Sequence, residues 1–118
     1  MVVFFILAIL ICNMDGNIFK IKKNKIEEWR NWSTHLLLNK DVVEKTLTEE
    51  NISFEGSFLF TYADDTFVCL YTKTNEDSIK MKANLELEIN SKHKEKMEEC
   101  FEERVSKIEN LYLFKSSK

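Results

Sequence analysis

Apolar residues recur along this chain with two different periods, and the switches between them mark out its elements. Asn17–Lys22 (NIFKIK) alternates, with Phe19 and Ile21 on the side of Asn17 and with Ile18, Lys20 and Lys22 on the other. That pattern predicts a first β-strand, and Lys23–Lys25 reads as the turn after it. Over Ile26–Asn51 the period lengthens. Ile26, Trp29, Trp32, Leu36, Val43 and Leu47 fall in one broad stripe, as in an amphipathic helix, with a kink or break at Asn39-Lys40-Asp41. Ile52–Tyr62 (ISFEGSFLFTY) returns to period two. Ile52, Phe54, Phe58, Phe60 and Tyr62 share one face, and Gly56 in their register suggests a bulge or a close approach to the sheet. Ala63-Asp64-Asp65 is a polar turn, so Thr66–Lys73 completes a hairpin. Thr74–Ala83 is a polar loop. Asn84–Val105 is helical again, with Leu85, Ile89, His93, Met97, Cys100, Phe101 and Arg104 on one side. Ile108–Phe114 reads as a last short strand.

The order is βαββαβ, which predicts an α+β fold: a ferredoxin-like sandwich of a four-stranded antiparallel sheet with two helices on one face. In Thr66–Lys73, Phe67, Cys69 and Tyr71 face one way while Val68 and Leu70 face the other. Both faces of that strand are apolar, so the side away from the helices needs cover. Val68, Leu70 and Leu59 are assigned to that free face. A two-fold homodimer packed sheet to sheet is the economical cover, forming a dimeric α/β barrel.

Val2–Cys12 is an unbroken apolar run, too short for a membrane-spanning helix of about 20 residues. Residues 1–13 are set apart as a leader, with residues 14–118 as a single domain. Three readings of the leader stay open: a spurious start ahead of Met14, an export or anchor signal, or an extra strand or helix. The first makes the protein cytoplasmic; the second makes it exported or membrane-anchored. No Lys or Arg precedes the run and no small-residue cleavage site follows it.

Composition narrows the function classes. The chain has 118 residues, 44% of them hydrophobic and 31% charged, enough for one core. The net charge of −3 comes without a basic stripe, so nucleic acid is not the expected partner. Cys12, Cys69 and Cys100 are odd in number and widely spaced, which is neither a disulfide framework nor a metal motif. No nucleophile elbow or Gly-rich phosphate loop occurs. Glu98, Glu99, Glu102 and Glu103 read as a solvated face paired with lysines.

His93 is the one polar, titratable residue near the middle of its apolar stripe and the best candidate for a catalytic group. The competing expectation is a structural histidine, satisfied at the edge of the core by a carbonyl or a carboxylate. The candidate ligand cleft is Asn17, Phe19, Trp29, Phe58, Tyr71, His93 and Met97. No metal site is expected.

Three segments, KIKKNKIEEWRNW, EKTLTEENISFEG and EINSKHKEKMEEC, resemble a family of small uncharacterised bacterial proteins. That family is grouped with the dimeric α/β-barrel superfamily of the antibiotic-biosynthesis monooxygenase type. The resemblance spans about Asn17–Phe114 and is most specific over Glu88–Cys100. It implies a dimer and a helix–sheet cleft used for apolar small molecules. Haem-degrading members of the superfamily use a helix histidine as axial ligand, a first-strand asparagine and a sheet tryptophan. His93 and Asn17 match the first two; both tryptophans here lie on the first helix instead. The expected function is thus a homodimeric protein binding a small apolar ligand, without a cofactor. The alternatives are a monooxygenase-like enzyme, cofactor-free or haem-dependent, using His93 with Asn17 and Tyr71 as helpers, and an exported or anchored envelope protein.

Overall fold

The computed structural model of the protein describes residues 14–114, 116 and 117. The apolar leader therefore lies outside the described residues. The elements are β1 (Met14–Ile21), a 3-10 turn (Lys23–Lys25), α1 (Ile26–Leu38), α2 (Lys40–Glu49), β2 (Ile52–Tyr62), β3 (Asp65–Thr74), α3 (Glu88–Cys100) and β4 (Phe101–Ile108). They form an α+β fold whose four strands make an antiparallel sheet in the order β2-β3-β1-β4. This arrangement is compatible with the expected ferredoxin-like sandwich.

The predicted first helix is two helices. Asn39 stands between them with φ −114° and ψ 35°, and its side-chain amide donates to the His35 carbonyl at 2.8 Å. That bond competes with the helical ladder at the position where the stripe is interrupted. The hairpin turn places Ala63 and Asp64 at φ 50° and 69°, as a two-residue turn matched to strand twist requires.

Two expectations at the C-terminal end are corrected. The second long helix stops at Cys100, and the last strand is Phe101–Ile108 rather than Ile108–Phe114. Residues 109–114 form no regular element, and Leu111, Tyr112 and Phe114 are exposed. Register shifts in β4 explain the misreading. Phe19 pairs with Arg104 and Ile18 with Ser106, so Val105 is extra; Lys20 pairs with Glu103 and Ile21 with Phe101, so Glu102 is extra. The two bulges put Phe101, Arg104 and Lys107 on one face at a spacing of three, which imitates a helix.

The faces of the sheet are also exchanged relative to expectation. Val68 is fully buried beneath the helices with Ile21, Trp29, Trp32, Cys100 and Phe101, and Leu70 packs against this cluster. Phe54, Phe58, Phe60 and Tyr62 face away and are exposed, in register with Lys73, Cys69, Phe67 and Asp65. A bulge at Ser53 turns Ile52 inward while the phenylalanines after it point outward. Gly56 lies under the Phe58 ring: a Cβ there would come within 2.9 Å of Phe58 Cε2.

Ion pairs fasten α3 to α1 and to the turn before it. Lys25 Nζ in the 3-10 turn lies 3.0 Å from Glu99, Lys96 pairs with Glu28 of α1, and Lys96 and Glu99, 3.3 Å apart, are linked within α3. These pairs are partly exposed and contribute little each. The aromatic layer contributes more: the Phe101 ring is 4.9 Å from Phe19 and 4.6 Å from Trp29. Phe101→Ala is expected to lower unfolding free energy in urea by about 3–4 kcal/mol. Val105→Ala, at an exposed bulge, is expected to change it by less than about 0.5 kcal/mol.

Candidate ligand groove

The space between the α1–α2 pair, α3 and β2 forms a groove with two lobes. One lobe, about 330 Å³, is walled by Trp29, Ser33, Leu36, Val43, Leu47, Glu55, Ser57, Leu70 and His93 among others. The second, about 260 Å³, runs between Leu36, Val43, Thr46, Glu50, Glu55, Leu85, Ile89, His93 and Met97. Leu36, Val43, Glu55 and His93 belong to both lobes, so they mark the junction.

The tryptophans hold this groove in shape. They are three residues apart on α1 and both are buried, so each indole N–H needs an acceptor. Trp29 Nε1 donates to Ser57 Oγ on β2 at 3.2 Å, and Trp32 Nε1 donates to His93 Nδ1 on α3 at 2.8 Å. An indole nitrogen only donates, so Nδ1 of His93 is the acceptor and the neutral ring carries its proton on Nε2. Burial pushes the His93 pKa below its usual value, which keeps that neutral form at pH 7. His93 is therefore satisfied by an indole donor rather than by the carbonyl or carboxylate expected from sequence.

Three carboxyls line the groove: Glu44 in the first lobe, Glu50 in the second and Glu55 in both. Glu55 is an exposed residue of β2, yet partial desolvation of its carboxyl raises its pKa, with Lys80 pulling the other way. Glu50 is raised for the same first reason and further by the charge of Glu55.

Of the residues expected to line a cleft, Trp29, His93 and Met97 come together here. Phe19 packs into the core beneath, against Phe101. Asn17 faces the helices but accepts a hydrogen bond from Arg104 at 3.4 Å and does not line the groove. Phe58 and Tyr71 lie on the opposite face of the sheet, where Tyr71 contacts Met14. Glu55, Glu50 and Ser57 are lining residues that sequence reasoning missed. The signal for two of them was present. Glu55 and Ser57 alternate with the phenylalanines of β2, so once the phenylalanines point outward these must point in.

Haem iron does not fit His93 in this arrangement. A histidine bound to iron through Nε2 carries its remaining proton on Nδ1, where it would oppose the Trp32 N–H at 2.8 Å. Among the described residues, no group of three or more His, Cys, Asp or Glu is placed to hold a metal.

A model of a family of unknown function, DUF6176, matches residues 15–118. The chain belongs to this family. The match spans the sheet, the helices and every groove residue named above. No curated protein and no solved structure matches the chain. No helix among the described residues is long and apolar enough to cross a membrane.

The His93 environment has a pH signature. The unfolded chain protonates this imidazole from about pH 6.5 downward, and the folded chain does so only at lower pH. The stability contributed by the neutral ring is complete above about pH 6.5 and is lost as pH falls through the folded pKa. The thermal midpoint, followed by tryptophan fluorescence, is expected to drop between pH 7.5 and 5.5. In His93→Gln, whose amide oxygen still accepts from Trp32, most of that drop is expected to vanish.

Proposed function

We propose that this protein is a homodimer that holds a small apolar molecule in the helix–sheet groove, with no cofactor. The observation that carries the reading is the pair of lobes that share Leu36, Val43, Glu55 and His93, with Leu47, Leu70, Ile89 and Met97 as further apolar wall and with polar side chains such as Lys40, Glu44, Glu50 and Lys94 lining one lobe each. Concave apolar sites with a few converging polar groups are the usual form of small-molecule sites. The dimer reading is supported by the outer face of the sheet. Phe54, Phe58 and Phe60 are between 40% and 60% exposed there, and Phe60 stacks on Phe67 at 5.3 Å. A contiguous aromatic face of this kind is a recurrent mark of an interface. A cytoplasmic location accords with the free thiols of Cys69 and Cys100.

The neutral fluorophore N-phenyl-1-naphthylamine tests the groove. Its emission is expected to rise on mixing with the protein, and Val43→Trp, which fills the junction, is expected to remove at least about nine-tenths of that rise. An undiminished rise in Val43→Trp sinks the groove reading. Light scattering after gel filtration tests the dimer. Wild type is expected at twice the chain mass and Phe58→Glu at the chain mass, because a charge would be buried unpaired at the interface. A wild type that runs as a strict monomer at about 50 μM, the strength of a weak complex, rejects the dimer and leaves the groove reading standing.

A further inference from the structure

We propose that the molecule held in the groove is an apolar alcohol, whose hydroxyl meets His93 and Glu55 together. The inference rests on the groove reading and supplies the ligand's polar end.

His93 and Glu55 are the polar side chains common to both lobes, so a group at the junction meets both. The bond from Trp32 makes His93 an acceptor at Nδ1. Its Nε2 edge is therefore a donor. Glu55 offers carboxylate oxygens, which accept. A group suited to both must accept from one and donate to the other, and a hydroxyl does this with a single oxygen. An ammonium would set its own N–H against the His93 N–H. A carboxylate at the junction would set its charge against Glu55, with Glu50 in the second lobe, whereas Lys40 and Lys94 each line one lobe only and are not among the residues common to both. Leaving either site group unmatched in a partly desolvated groove costs affinity, which is how such pockets discriminate between polar heads. The apolar residues of the junction, Leu36 and Val43, and the first-lobe walls Leu47 and Leu70 are aliphatic and suit a hydrocarbon body.

Three probes with the same chain and different heads separate the cases: 1-octanol, octylamine and octanoate, titrated calorimetrically into the full chain at pH 7.5. Octanol is expected to bind at least about tenfold tighter than either of the others. Glu55→Leu and His93→Leu are each expected to weaken octanol about tenfold, the loss of one hydrogen bond to a charged or fixed partner. Trp32→Phe releases Nδ1, lets Nε2 accept, and is expected to narrow the gap between octanol and octylamine. A purely structural Trp32 would not move that ratio. Octylamine or octanoate binding as tightly as octanol overturns the proposal. So does octanol binding that ignores both leucine variants, or a ratio unchanged in Trp32→Phe. If none of the three binds while the naphthylamine still occupies the groove, the alcohol is rejected and the groove reading survives. If the naphthylamine fails as well, the groove reading falls with it.

Discussion

The structure depends on two indole N–H groups that have no water to bond to. Trp29 and Trp32 are buried on one face of α1, and each must reach across a layer for its acceptor. One reaches down to the sheet at Ser57, the other sideways to α3 at His93. A satisfied buried hydrogen bond stabilises by about 1 kcal/mol, but an orphaned one costs about 1–3 kcal/mol. The pair therefore fixes position more than it adds stability. It sets how α1 sits over β2 and how α3 sits beside α1. The groove is the space left between elements held apart in this way.

The same constraint determines the electrostatics of the site. A donor facing Nδ1 leaves one neutral tautomer for His93 and disfavours its charged form, in addition to the effect of burial. The histidine that looks like an acid–base or metal-binding group in sequence becomes a fixed neutral donor. Acceptors near it come from Glu55 on the sheet and from Glu50 at the end of α2, two of the several polar side chains that line the groove. A donor on one wall and acceptors on the other suit recognition of a polar head. They do not suit coordination of a metal, which would need Nε2 as a lone pair.

The sheet divides its work between its faces. Val68 and Leu70 are committed to the helices because the core cluster needs branched and aliphatic side chains beneath two tryptophans. Alternation then forces Phe67, Cys69 and Tyr71 outward, and pairing carries Phe60, Phe58 and Gly56 to the same face. An aromatic surface outside and a polar-edged groove inside follow from one choice of face.

Sequence alone determined the number of strands, the hairpin, the two tryptophans as core residues and His93 as the odd polar member of an apolar stripe. These follow from periodicity and from burial preferences, which are local. It could not determine which apolar face of β3 meets the helices, because Val68-Leu70 and Phe67-Cys69-Tyr71 are both apolar sets and only packing chooses between them. That choice removed Phe58 and Tyr71 from the cleft and brought Glu55 and Ser57 into it. Nor could it find the end of α3, because two bulges in β4 give Phe101, Arg104 and Lys107 a helical spacing within a strand. Bulges arise from pairing with β1, a partner more than 80 residues away in sequence for Arg104 and Asn17. The tertiary structure also decided the partner of His93, since it stands 61 positions from Trp32 and the sequence between carries no local trace of that bond.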